Sequence, residues 1–359
     1  MNFLNFSKFT LASIVSLTLL NSCASKVLEV DNSDNLLKIE DYDKTLQVKE
    51  AEQPPEPTTA PVLKSIVEKK PEVKKDDMFA KLGTPKPVEP EVKKEESKKT
   101  EKAEKPKKLK KKLPAIEDSE GFDGRRPVVD PFRPGEKVTI KLSYFNVVAG
   151  DMTVEVLPFK EVNGRKSYHF KVSGKSNSFF SNVYAVDDKA ETFLDYETLL
   201  PYNMAIDVKE TKQLRTVRSY FDWKKMKAFF WEKKITKKHG VEEKNLEWAI
   251  EPYAQNIFSS IFYLRTFTLT PGKVIQFRMA DNKKNMVIKG HVLRRETIKT
   301  DLGEIKTVVV KPELAIDGVF KPMGDVFFWL TDDDRKFVVR IESKIKIGTI
   351  IGSLKEIVP

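Results

Sequence analysis

Three consecutive carboxylates, Asp332, Asp333 and Asp334, and the pair Asp187 and Asp188 are the acidic groupings in this sequence that could hold a cation or pass a proton. A calcium loop needs a glycine at its bend and a glutamate to close it. The aspartate run has neither, so both groupings read as hairpin turns. The three histidines, His169, His239 and His291, stand apart, with no HExxH and no cysteine at metal-ligand spacing. Zinc chemistry therefore lacks its ligands, and each histidine reads as a strand or loop residue. No GxSxG elbow, phosphate loop or dinucleotide fingerprint is present, which leaves acyl transfer, nucleotide and redox chemistry without their signatures. No metal, cofactor or catalytic residue is expected. Two carboxylates acting on a glycosidic bond need only stand ~5–9.5 Å apart in space, so a cell-wall hydrolase stays open as one reading.

The aromatic residues are more concentrated than the ionisable ones. Tyr220, Phe221, Trp223, Phe229, Phe230 and Trp231 fall within SYFDWKKMKAFFW, a predicted hairpin whose alternation sends some rings to each face. Phe179 and Phe180 add an apolar pair in a predicted loop. One reading is a filled core with a few exposed rings. The other is an apolar cavity beneath a helix, suited to an acyl chain, for which Trp223, Phe230, Trp231 and Phe262 are the candidate contacts.

Cys23 is the only cysteine among the 359 residues. It follows one positive charge, Lys8, and the uncharged run FTLASIVSLTLL from Phe9 to Leu20, the pattern of a secretory signal and too short for a comfortable membrane-spanning helix of about 20 residues. Leu20, Asn21, Ser22 and Cys23 resemble a bacterial lipobox, which implies cleavage before the cysteine and a diacylglyceryl group on its thiol. Each buried methylene then contributes about 0.8 kcal/mol, and two or three chains make a stable membrane tether. Ala24 and Ser25 lack the aspartate that resembles an inner-membrane retention signal, so the outer membrane is expected, with the following chain in the periplasm.

With Cys23 committed to lipid, no disulfide can stabilise the exported protein. The whole chain carries +11, and residues 1–22 contribute only Lys8 to it. Residues 24–120 balance 22 basic against 22 acidic side chains, so the excess positive charge lies beyond residue 120. Anionic envelope partners fit such a domain: lipid head groups, lipopolysaccharide phosphates or the cell wall. Nucleic acid does not suit that compartment, and oligomeric state is not legible. Residues 23–120 are rich in lysine, glutamate and proline and nearly devoid of aromatic residues. They are expected to form a disordered tether reaching on the order of 300 Å, at ~3.1 Å per residue.

From Asp130 the texture changes to short β-type runs such as EKVTIKLSYFNV, GDMTVEVLPF and KSYHFKVSG. Val138, Ile140, Leu142 and Tyr144 would share one face, opposite Lys137, Thr139, Lys141 and Ser143. The pattern predicts a mainly β protein: a strongly curved antiparallel sheet or open barrel of about eleven strands, over residues 121–359 and behind the disordered linker. In EPYAQNIFSSIFYLRTFTL, helical spacing predicts one covering helix over about 253–265, with Ile257, Ile261 and Leu264 buried and Arg265 near its C-terminal end.

Five collinear phrases, including PGEKVTIKLSYFNVVAGDMTVEV at Pro134 and WLTDDDRKFVVRIESKIKIGTIIGSL at Trp329, resemble the bacterial exported family known as domain of unknown function 3108, over about residues 134–358. The resemblance implies an envelope protein of curved antiparallel β architecture, similar in look to the periplasmic lipoprotein carriers, and no established catalytic residues. Three functions follow as alternatives. The first is a non-catalytic lipoprotein working as a tethered binding or scaffolding module in envelope maintenance. The second is a lipid or lipoprotein carrier, and the third is the hydrolase.

Overall fold

A computed structural model of the chain describes residues 26–52, 67–68, 126–316, 319–322, 325–345 and 348–359. The expected signal segment, Cys23 and most of the expected linker lie outside the described residues.

Period-two alternation builds the sheet. In β3 (Lys137–Tyr144), Val138 and Ile140 are buried while the flanking lysines reach solvent. An antiparallel meander continues through β4 (Val147–Val162), β5 (Arg165–Ser176), β6 (Asp187–Asp195), β7 (Asn203–Lys209), β8 (Gln213–Asp222), β9 (Lys227–Thr236) and β10 (Gly240–Ala249). A second meander holds β11 (Val274–Asp281), β12 (Lys284–Thr300), β13 (Gly303–Ile316), β15 (Asp325–Thr331), β16 (Val338–Ile345) and β17 (Gly348–Val358), with β14 (Val319–Pro322) beside the end of β13. β17 pairs along β3, joining the last strand to the first. Among the described residues no ladder joins β10 to β11, so the barrel-like sheet stays open there, spanned by a short parallel bridge from Gln255, on the connection, to Met279 in β11 and by the bond from Asn285 Nδ2 of β12 to Ala249 O at 2.9 Å.

Fifteen strands between Lys137 and Val358, rather than about eleven, make up this sheet. Two shorter ones come from the expected linker: β1 (Val48–Glu50), paired with β4, and β2 (Val67–Glu68), paired with β13.

The covering helix sits on the connection between the two open edges. It runs over Ile257–Leu264, shorter than expected, because Tyr253 has φ 59° and Asn256 supplies the cap. Asn256 Oδ1 accepts from the N–H of Phe258 and of Ser259, and Ser259 Oγ accepts from the N–H of Asn256. Its buried face differs from the expected one. Ser259, Ser260, Phe262 and Tyr263 are buried, whereas Ile257, Ile261 and Leu264 are half-buried against the core edge. Phe262 stacks on Phe170 with ring centroids 3.8 Å apart, and Tyr263 meets Phe267 and Phe277 edge-on. These rings fill the space beneath the helix.

Arg265 closes the helix as its C-cap, but its partner is more than the helix dipole. The buried guanidinium pairs with Glu136 at 2.5 and 3.0 Å and donates to the carbonyls of Pro131 and Arg335. Arg335, also buried, reaches the same carboxylate at 2.9 Å. Helix end, β3 entry and the β15–β16 turn are thereby fixed to one another.

Residues 26–52 depart from the expected disordered tether. They carry α1 (Ser33–Leu37), α2 (Glu40–Thr45) and β1, and they lie as a strap along the outer face of β7–β9. Leu28 is buried with Leu214 and Ile235. Tyr42 is buried edge-on against Trp231, and its hydroxyl accepts from Asn203 Nδ2 at 2.7 Å. Val48 then faces Val162 across the β1–β4 ladder, and Glu50 pairs with Lys160. We number the two remaining helices α3 (Ser178–Ser181) and α4 (Ile257–Leu264). No helix among the described residues is long and apolar enough to cross a membrane.

Candidate functional site

The inward-facing positions of the sheet are filled along most of its length and left open at one rim. There β3, β4, β5 and β17 end, and Leu142, Tyr144, Ala149 and Ile350 line a predominantly apolar cleft with an interior volume of about 60 Å³. Phe180 and Tyr184, from α3 and the loop after it, wall the other side. Two glycines make the opening. At Gly150, β4 approaches β5 so closely that a Cβ would collide with the carbonyl of Lys175, so only glycine fits. At Gly174 an added Cβ would meet nothing within 4 Å, which leaves that wall open.

The α3 loop is held firmly in place. The Asn177 N–H donates to Ala149 O at 2.9 Å and its Nδ2 to Val148 O at 2.6 Å, while its Oδ1 caps α3 by accepting from Phe180 N. Around the mouth, Phe145, Val147, Phe179 and Val183 expose between 46 and 68 % of their surface. Phe145 occupies the β3–β4 turn at φ 48°, a left-handed conformation that a bulky residue adopts at a cost.

Behind Tyr184 lies a buried acidic pair. Tyr184 Oη donates to Glu210 Oε2 at 2.6 Å, and Gln213 Nε2 donates to the same oxygen at 2.7 Å. Asp188 Oδ1 accepts from Lys209 N at 3.0 Å. Burial, then the nearby Glu210 charge, push the Asp188 carboxyl up to about 8, against the lowering effect of that N–H. Asp187 and Asp188 thus open strand β6 rather than form the expected turn. With Asp188 and Glu210 6 % and 1 % exposed, a glycan cannot reach either carboxyl.

The four aromatic residues singled out as ligand contacts are not brought together. Phe262 lies in the main core and Phe230 in a second cluster under β7–β10, both almost fully buried. Trp223 packs at the edge of that cluster and donates through Nε1 to Pro201 O. Trp231 faces outward under Tyr42, stacked on Phe229. The expected cavity beneath the helix is therefore replaced by packed rings, and the cleft lies at the rim instead. Of the aromatic residues named from the sequence, Phe180 and Tyr144 line it.

The other ionisable groups are dispersed. His169 meets Glu191 at 3.1 Å on the outer face and His291 meets Glu313 at 3.0 Å, while His239 sits in the β9–β10 turn. No group of three or more possible metal ligands occurs among the described residues. Asp332–Asp334 form the β15–β16 turn as expected: Asp333 Oδ1 accepts from Thr331 Oγ1 and from the N–H groups of Arg335 and Lys336, and Asp332 pairs with Arg295.

No curated protein matches the chain. Among solved structures, a beta-barrel-like protein of domain of unknown function DUF1849 from Brucella abortus is similar at 14 % identity, with 62 % of this chain and 96 % of that one covered and a TM-score of 0.40. A protein with a YmcC-like fold from Bacteroides fragilis is similar at 13 % identity, with 64 % and 98 % covered and a TM-score of 0.25. A family model matches residues 137–355, from the first barrel strand into the last. By that match the chain belongs to the protein family of unknown function DUF3108.

Proposed function

We propose that this protein is a non-catalytic module of the bacterial cell envelope, attached by lipid at Cys23 to the periplasmic side of the outer membrane, whose β-domain binds the end of an apolar chain at its rim. The observation that carries this reading is the cleft itself. An apolar opening at the mouth of a barrel-like sheet is where such folds receive ligands. Its interior of about 60 Å³ is small beside the ~300–1,000 Å³ that enclose a drug-sized molecule. It therefore takes the tip of an acyl chain and not a whole lipid, which separates this reading from a carrier that enfolds its cargo.

A fluorescent fatty acid tests the proposal. Titration of the purified protein is expected to show saturable binding. Gly174→Leu, whose Cβ would meet nothing within 4 Å and whose side chain enters the cleft, is expected to weaken that binding at least tenfold while the thermal melt is unchanged. Absence of saturable binding, or equal affinity in the variant, rules the reading out.

A further inference from the structure

Of the large apolar side chains that stand exposed among the described residues, five belong to one place: Phe145 in the β3–β4 turn, Val147 and Val148 at the start of β4, and Phe179 and Val183 in and after α3. The two loops are joined through Asn177, which bonds to Ala149 and Val148. Together they surround the rim cleft. They are also held out rather than merely left uncovered. Phe145 stays 68 % exposed at a left-handed turn position that asparagine or glycine would occupy without strain. Phe179 is likewise 68 % exposed, on a loop fixed to its neighbour strand by the two hydrogen bonds of Asn177 and braced internally by the Ser176–Ser181 hydroxyl contact. Exposed apolar side chains grouped at protruding tips mark a surface that meets an apolar phase.

The chain's own course indicates which phase. The strap enters the described structure at the same rim, where Leu28 N donates to Glu210 O at 2.9 Å and Glu210 is bridged to Val186 of the cleft wall. Cys23 precedes Leu28 by five residues, a span of at most about 17 Å when fully extended. A lipid on Cys23 therefore holds this rim, and not the opposite one, against the bilayer.

We infer that the rim formed by the β3–β4 turn and the α3 loop is a membrane-docking surface, which inserts Phe145, Phe179 and Val183 into the bilayer interface and opens the cleft toward the lipid. The inference rests on the reading of the cleft as an apolar binding site and names the surface from which its ligand enters. Protruding tips suit a fluid interface, which closes around them, better than a rigid protein face, which would need matching pockets. Lys26, Lys175, Lys209 and Lys212 are exposed near this rim, so anionic head groups are expected to strengthen docking modestly.

The test places a reporter at the tip. Phe145→Trp in the full chain is mixed with phosphatidylethanolamine–phosphatidylglycerol vesicles whose acyl chains carry bromine. The native Trp223, Trp231, Trp248 and Trp329 lie in the core, in turns or under the strap, so they supply the background. The introduced indole is expected to shift to shorter wavelength and to be quenched, beyond the change seen in the parent. Attachment through the N-terminal residues alone gives no such signal. The double variant Phe145→Asp with Phe179→Asp, both at exposed positions, is expected to keep its melt and to lose vesicle partitioning by about tenfold or more. An indole that stays unquenched on vesicle-bound protein overturns the inference. Fatty-acid binding without quenching overturns docking and leaves the cleft reading intact, whereas quenching without fatty-acid binding supports docking and removes the cleft reading.

Discussion

Asp188 is the residue whose burial has the clearest measurable consequence. Its carboxyl is pushed up to about 8 by burial and by the adjacent Glu210 charge, against about 3.9 in an unfolded chain. Between those values the folded protein binds more protons than the unfolded one, so stability falls as pH rises through roughly 4 to 8 and levels off on either side. Asp188→Asn keeps the shape and the bond from Lys209 N while removing the charge. It is expected to stabilise the protein by about 1–2 kcal/mol at pH 8.5 and to change it little at pH 4. Urea melts at the two pH values check this, and an equal gain at both would mean that the carboxyl is not held protonated by the fold. Asp188 illustrates a limit of reading residues singly: two adjacent aspartates look like a turn, and only the pairing of β6 with β7 and the Val186–Glu210 bridge bring Glu210 beside them.

At the scale of elements, alternation made the longer strands legible and missed others. β10, GVEEKNLEWA, exposes most of its residues on both faces and shows no one-sided apolar period, whereas β7 alternates, with Met204, Ile206 and Val208 buried, but over only seven residues. The helix was legible in existence and approximate place, but not in orientation. Ile257, Ile261 and Leu264 carry the apolar signal, whereas the face against the sheet includes Ser259 and Ser260, whose polarity hides their burial. What holds that face is satisfied polarity: Ser260 Oγ donates to Asn256 O, and Asn256 Nδ2 reaches Thr192 and the carbonyl of Asn203. Truncation therefore separates the two faces. Phe262→Ala, at a fully buried ring stacked on Phe170, is expected to cost about 3–5 kcal/mol. Ile261→Ala, at a half-buried position, should cost roughly 1 kcal/mol. Chemical denaturation of both variants decides the orientation, and a larger loss at Ile261 would require the helix to be rotated from the arrangement described. The cleft was not legible for a related reason. It depends on side chains that are absent, at Gly150 and Gly174, and on loops that sequence places only as connections.

At the scale of the whole molecule, the strap changes what the charged segment is for. A hundred disordered residues between Cys23 and the domain would give reach and effective concentration far from the membrane. Residues 26–50 instead lie on the domain, so only five residues separate Cys23 from the docked Leu28, and the lipid proposed on Cys23 would keep the rim near the membrane. The chain leaves the strap where Gln47 bonds with Asn163 and Val48 pairs with Val162, and it returns at Arg126, which donates to Asp130 and to Tyr196 O. Both points lie at the end bearing the β4–β5 and β6–β7 turns, opposite the cleft. Composition concealed the strap, because charged residues are interspersed among the apolar ones throughout 26–56, yet Leu28, Ile39 and Tyr42 are the ones that dock. A chain beginning at Gly121 would uncover Leu214, Ile235 and the outward ring of Trp231. It should still fold around the main core, but with a loss of about 2–4 kcal/mol, or roughly 5–10 °C in melting temperature for a domain of this size. Iodide quenching supplies a second measure, since Trp231 loses its cover from Tyr42. A truncated chain that melts at the parent's temperature with no added quenching would show that the strap is not part of the domain. The reach of a free tether, and with it action far from the membrane, would then be restored.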